Sequence, residues 1–177
     1  MACDISHGRV ANTCKTVGGI KAIYVWNWDD SFDVDTDFII TNDVISANVS
    51  GSPIELFKYE VRGGASFDEA GESNEENGTV FYTTTGTVQL KRQDSQTRKE
   101  LKLMAYGRPR ILVEDWNGDM KTYGLRNGCN VSFSTASGTA MGDFNGYTIN
   151  ISAMEVEPAN FNGAWYTSGS EATIITS

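Results

Sequence analysis

A mainly β fold, a sandwich or barrel of strands with one flanking α-helix, is what this sequence predicts, on three observations. Runs of β-branched and aromatic residues recur along the chain between turn signals. Glycine is abundant, with eighteen against three prolines, and Asn-Gly pairs sit between apolar runs, where they favour the positive φ angles of tight hairpins. Only one segment carries helix punctuation at both ends. The chain has 177 residues, 40% hydrophobic and 21% charged, the size of a single domain with a buried core.

The elements follow in order. Residues 1–18 are polar and unpatterned and read as an N-terminal arm. Gly19 to Trp26 (GIKAIYVW) is the first strand of a β core that runs over 19–157. Phe38 to Thr41 and Val44 to Val49 are short strands. In Pro53 to Arg62 the apolar positions Ile54, Leu56 or Phe57, Tyr59 and Val61 fall near period two, the mark of a strand with one wet face. Gly63 and Gly64 punctuate it and a further strand starts at Ala65. Phe67 to Gly78 (FDEAGESNEENG) holds five acids and no base and reads as a solvated loop. Thr79 to Lys91 is a long strand, with Gly86 as a bulge or bend.

The helix spans about 94–106. Asp94 caps Ser95 to Tyr106, Leu101, Met104 and Ala105 form an apolar face, and Gly107 and Pro109 stop it. Ile111 to Trp116, the turn Asn117-Gly118, and Met120 to Leu125 form a hairpin. Asn127-Gly128 leads into Val131 to Ser134, and Asn145-Gly146 into a strand with Tyr147, Ile149, Ile151 and Ala153 on one face. Residues 158–177, rich in Gly, Ser, Thr and Asn, read as a C-terminal arm.

Composition narrows the chemistry. Lys plus Arg number 14 and Asp plus Glu 23, a net charge of −9, which argues against gripping nucleic acid by its phosphates. An acidic wall past which DNA slides stays compatible with this charge. No apolar run approaches a membrane span, and Met1 to Gly19 lacks the apolar stretch of a signal peptide. Cys3, Cys14 and Cys129 are an odd set without a close pair, so reduced thiols are expected. Cys3, His7 and Cys14 lack both the close spacing and the fourth ligand of a zinc site. His7 is the single histidine, and its place in a polar arm makes a Ser-His-Asp or Cys-His mechanism a poor expectation. The chain therefore reads as a non-enzyme with no cofactor and no metal.

Two residue sets still invite a binding reading. Asp33-x-Asp35-x-Asp37 opens like a calcium loop, but Phe38 and Val44 stand where that loop needs its glycine and its bidentate glutamate. Asp115, Asn117 and Asp119 surround a hairpin turn, which explains them without a metal. Trp26, Trp28, Trp116 and Trp165 could stack on sugar rings, which keeps open a carbohydrate-binding or adhesion module. An acid-pair glycosidase rests on the abundance of carboxylates alone, and the sequons at Asn48, Asn77, Asn130 and Asn150 carry no weight without a secretory signal.

Charge placement says more. Seven acids and no base lie between Ala22 and Phe57, whereas seven of the 14 bases lie between Lys91 and Arg110. Opposite patches of this kind orient copies in a head-to-tail assembly. The candidate contacts between subunits are Asp29, Asp33, Asp35 and Asp37, then Glu69, Glu72 and Glu75, and the bases Arg92, Arg98, Lys99, Lys102, Arg108 and Arg110. The loops Asp29 to Asp43 and Gly63 to Gly78 are candidates for contacts between rings.

Four stretches bear a family likeness: Gly18 to Tyr24 (GGIKAIY), Glu76 to Tyr82 (ENGTVFY), Ser137 to Tyr147 (SGTAMGDFNGY) and Glu155 to Ala159 (EVEPA). In this order they resemble tail tube-like structural proteins of tailed bacteriophages, notably phages of Bacteroidetes hosts. The resemblance implies a virion protein of the tail, assembled in the host cytoplasm. Its subunits would form a hexameric or dodecameric ring whose inner strands line a channel for DNA without reading its sequence. Other tail or neck proteins would be its partners, with no membrane involved. Residues 158–177 have no place on a minimal tube subunit, so a ring or tail-completion protein on the same fold is the near alternative.

Overall fold

The computed structural model describes residues 5, 7–11 and 14–176. The fold is mainly β, two packed sheets with one long helix, as the strand-rich sequence predicts. The strands are β1 (Ile20–Trp26), β2 (Phe38–Thr41), β3 (Val44–Asn48), β4 (Ile54–Glu60), β5 (Ala65–Asn74), β6 (Thr79–Lys91), β7 (Arg110–Asp115), β8 (Met120–Tyr123), β9 (Asn130–Ala136), β10 (Gly146–Glu155), β11 (Asn160–Asn162) and β12 (Ala172–Ile175). A one-turn helix, α1 (Val34–Asp37), precedes β2, and α2 (Ser95–Tyr106) joins β6 to β7.

Sheet A has eight strands in the order β12-β4-β1-β7-β8-β11-β3-β2, and sheet B has four in the order β5-β6-β10-β9. Pairing is antiparallel except at β12–β4 and β11–β3. The strands β1 and β7 are apolar on both faces. Ile23, Val25, Ile111 and Val113 face sheet B and join Val88, Ile149, Ile151 and Leu101 in one core. Ala22, Tyr24, Trp26, Leu56 and Leu112 face the other way and join Val34, Phe38, Ile45, Trp165 and Ala172 in a second core. Residues from both ends of sheet A share that second core, so the sheet curls around it like a barrel wall. On β4, Ile54 and Leu56 enter the second core, while the other face carries exposed Glu55 and half-buried Phe57 and Tyr59, which pack on the margin of the first.

α2 is built as its punctuation predicts. The Asp94 carboxylate accepts from Thr97 N at 2.7 Å, and Gly107 N donates to Leu103 O. Leu101 is fully buried, Met104 half-buried and Ala105 exposed, so the apolar face is narrower than the sequence suggests. Tyr147 Oη donates to Asp94 O and ties the helix start to β10.

Several expectations are corrected. Residues 158–177 do not form an arm over the described stretch: β11 and β12 join sheet A, and Trp165 is buried in the second core. Small polar residues hid this, because one aromatic anchor and backbone pairing hold the segment. The acidic stretch after Phe67 is not a loop: β5 pairs with β6 from Ala65↔Val88 to Asn74↔Thr79. Both of its faces are exposed past Phe67, so acids are tolerated and no alternation marks the strand. Gly86 makes no bulge, since the register runs unbroken through it. A Cβ there would lie 2.6 Å from the ring of Phe67, its partner across the ladder. The Asn117-Gly118 hairpin is real but its loop has three residues. Gly118 N donates to Asp115 O, Gly118 takes the positive φ, and Asp115 N returns to Asp119 O, a type I turn with a bulge instead of a two-residue turn.

Two predictions follow from this packing. Trp165→Ala lowers unfolding free energy by about 3–5 kcal/mol in urea titration, whereas a mere arm would give a change within about 0.5 kcal/mol. Gly86→Ala costs about 1–3 kcal/mol by overpacking, and adding Phe67→Leu recovers part of that loss in a double-mutant cycle.

Candidate functional site

Among the described residues no group of three or more His, Cys, Asp or Glu gathers as a metal site would, and Cys3 lies outside the described residues. Cys129 is buried, and that burial pushes its thiol up to about 12, which suits packing and not nucleophilic attack. Attention therefore turns to the surface.

The acidic segment before β2 is used within the chain. Asp29 accepts from Ser31 N and Ser31 Oγ, which hold its carboxyl below the usual range. Asp33 caps α1 by accepting from Asp35 N, and Asp37 accepts from Asp33 N at 2.9 Å. The Asp35 carboxylate takes a bidentate pair from Arg126 at 2.8 and 3.1 Å, and Arg126 also reaches Glu157 at 3.1 Å. These hydrogen bonds hold Asp35 below its ordinary value. The three aspartates thus build a cap and an ion pair.

The end of β1 and the start of β7 form a ladder. Trp26 and Arg110 are partners in the register, and period two brings Trp28 and Arg108 to the same face. The Arg110 guanidinium lies 4.6 Å from the Trp26 ring and 4.0 Å from the Trp28 ring. Arg108 also lies over the Trp28 ring at 4.5 Å and approaches Asp30 at 3.8 Å. Arg110 Nε donates to Leu125 O at 2.8 Å, and burial pushes its guanidinium down to about 10. Arg110 is 1% exposed, so it is no inter-subunit contact; the expectation failed because sequence charge alone does not reveal an aromatic sandwich. Trp28 is half-buried and met by two guanidinium groups, and Trp26 and Trp165 are buried, leaving Trp116 as the exposed tryptophan of the four.

The remaining charges sort to the two ends of sheet B. β10 stops opposite Tyr82, so the tip from Glu72 to Phe81 projects past it, carrying Glu72, Glu75 and Glu76. Glu69, nearer the body, accepts from Ala159 N at 2.6 Å. At the far end of β6 stand Lys91 and Arg92, and three residues on α2 begins, with exposed Arg98, Lys99 and Lys102. Lys102 lies 5.9 Å from the Tyr106 ring. The 13 residues of β6 separate acidic tip from basic end by about 40 Å.

The outer face of sheet B is distinctive in another way. Thr83, Thr85, Thr87 and Gln89 on β6, Thr148, Asn150 and Ser152 on β10, and Ser132 and Ser134 on β9 alternate with the buried positions of the first core. Lys91 at the end of β6 and exposed Met154, the partner of Thr83, continue the same face. Asp68 and Glu72 follow on β5. The outer edges of β5 and β9 have no partner among the described residues. No family model, curated protein or solved structure matches this chain. No helix among the described residues is long and apolar enough to cross a membrane.

Arg126, Glu155 and the Trp-Arg ladder went unnoticed in the sequence. The ladder had a signal, since Trp-x-Trp and Arg-x-Arg at two strand ends interleave when the strands pair. Arg126 had none. Glu155 is half-buried, accepts from the backbone N–H groups of Arg126 and Asn127, and its carboxyl is raised by burial. A raised carboxyl stabilises the fold below the unfolded value near 4.5 and loses that contribution as pH rises through the folded value. Glu155→Gln is therefore expected to gain on the wild type from pH 4 to pH 8, measured by urea midpoints at both pH values.

Proposed function

We propose that this chain is the subunit of a homo-oligomeric ring or tube of a phage tail, with the outer face of sheet B turned toward a channel for DNA. The observation that carries the reading is the amphipathic four-stranded sheet with both edges open. One face closes the core and the other offers hydroxyls and amides, with Lys91 as its one cation, at the end of β6. β5 and β9 run in opposite directions, because three antiparallel pairings separate them. The β9 edge of one copy therefore continues an antiparallel sheet when it meets β5 of the next, and a ring closes both edges. With strands about 4.8 Å apart, six copies of four strands would enclose a wall roughly 37 Å across before side chains. With a single cation at the end of that face and a net charge of −9, phosphates find little to hold them, so DNA passes without being retained.

The axial charge separation supports stacking. With strands along the axis, the acidic tip of one copy meets Arg98, Lys99 and Lys102 of the copy in the next ring. A ring or tail-completion role in a virion fits the same geometry, and the family resemblance supports both.

Electron microscopy and light scattering of the purified protein test this, with rings or tubes expected. A monomer persisting at high concentration overturns the reading. Thr85→Lys with Ser152→Lys is expected to leave rings intact yet make them retain duplex DNA, with an affinity that falls as salt rises. Arg98→Glu, Lys99→Glu and Lys102→Glu together are expected to leave single rings that do not stack.

A further inference from the structure

Beside the β5 edge a groove of about 310 Å³ opens between the two sheets, lined by Ile20, Phe67, Val113 and Tyr123, with Asp115 and Asp119 at its rim. Phe67 stacks on Tyr123 at 5.3 Å and forms its floor. The groove is apolar within and acidic at the lip. Lys121, also on its wall, points its ammonium over the Phe161 ring at 4.8 Å.

The N-terminal arm has the matching chemistry. Ile5 is 95% exposed and Val10 87%, values at which an aliphatic side chain covers nothing in its own chain. Arg9 and Lys15 are the arm's bases, against the rim's aspartates. The arm is anchored where it leaves the body, since Val17 N donates to Asn117 Oδ1 and Asn117 Nδ2 donates to Val17 O. From there sixteen preceding residues span up to about 50 Å when extended, enough to reach an adjacent molecule. The lone chain leaves both the arm side chains exposed and the groove open, so cis docking is not what its own packing selects.

We infer that the N-terminal arm of one copy seats in this groove of a second copy, burying Ile5 and Val10 beside Phe67 and pairing Arg9 or Lys15 with Asp119 at its rim. The inference deepens the assembly reading and rests on copies associating. It adds a strap that bypasses the sheet edges. In a second apolar groove, between β4 and α2, Glu60 is paired with Lys58 at 3.0 Å and Glu100 with Gln96 at 2.8 Å. At the first groove Asp115 is used by its own turn, accepting from Asn117 N, Asn117 Nδ2 and Asp119 N, and Asp119 is the carboxylate open to an incoming base.

The test is a disulfide trap in full-length chains with Cys3 and Cys14 replaced by Ser. Val10→Cys chains are mixed with Ser66→Cys chains, Ser66 lying on the groove wall, and oxidised mildly. A crossed dimer is expected at least tenfold above the yield with Ser170→Cys, an exposed site away from the groove, and Arg9→Glu with Lys15→Glu is expected to reduce it. Equal yields at Ser66 and Ser170 overturn the inference. So does a Val10→Cys, Ser66→Cys double variant that bridges only within one chain. Electron microscopy of the same samples separates the two readings. Rings without the crossed dimer remove the strap alone, and crossed dimers without rings uphold the strap and remove the ring.

Discussion

The structure depends on a wall that is apolar on both sides. β1 and β7, with β4 beside them, place alternate residues in two different cores, so neither face of β1 and β7 tolerates water. Sheet B and α2 cover one face. The other is covered by sheet A itself, curling until β2, β3 and β12 close over it. Every later feature is a response to this demand. The C-terminal strands exist to finish the second core, and the Trp-Arg ladder seals the end of β1 where the two cores would otherwise meet solvent.

Arg110 shows how the seal is made. A buried guanidinium is costly unless its charge finds partners, and here the partners are the rings of Trp26, Trp28 and Phe32 and one carbonyl, while Nη1 makes no hydrogen bond. Each indole contact contributes about 0.5–2 kcal/mol. The continuation through Trp26 to Phe32, Phe38 and Trp165, ring to ring at 4.9, 5.8 and 5.1 Å, links the ladder to the C-terminal segment. The acidic loop and the last turn of the chain are thereby fastened to one aromatic spine.

Much of this was legible in the residues. The β-branched runs located most strands, and Asp94 with Gly107 bounded the helix, because these signals act locally. Three parts were not legible, each for its own reason. β5 carries acids on an exposed hairpin, so its pairing partner defines it and its own pattern does not. β11 and β12 are short and polar and are fixed by neighbours far away in sequence. The aspartates near Asp33 looked like one site because sequence counts charges and cannot see that a cap, a turn and an arginine divide them. The hydroxyl-rich face of sheet B was visible only after register showed which residues share a side.

The acids along β5 have one more effect. If two copies approached edge to edge through β5, Asp68, Glu69 and Glu72 of each would face like charges at close range, and the pairing would be penalised. The β9 edge carries no charged side chain and imposes no such penalty. The two margins of sheet B are therefore unlike: like charges guard the β5 edge against pairing with itself, and nothing of the kind guards β9.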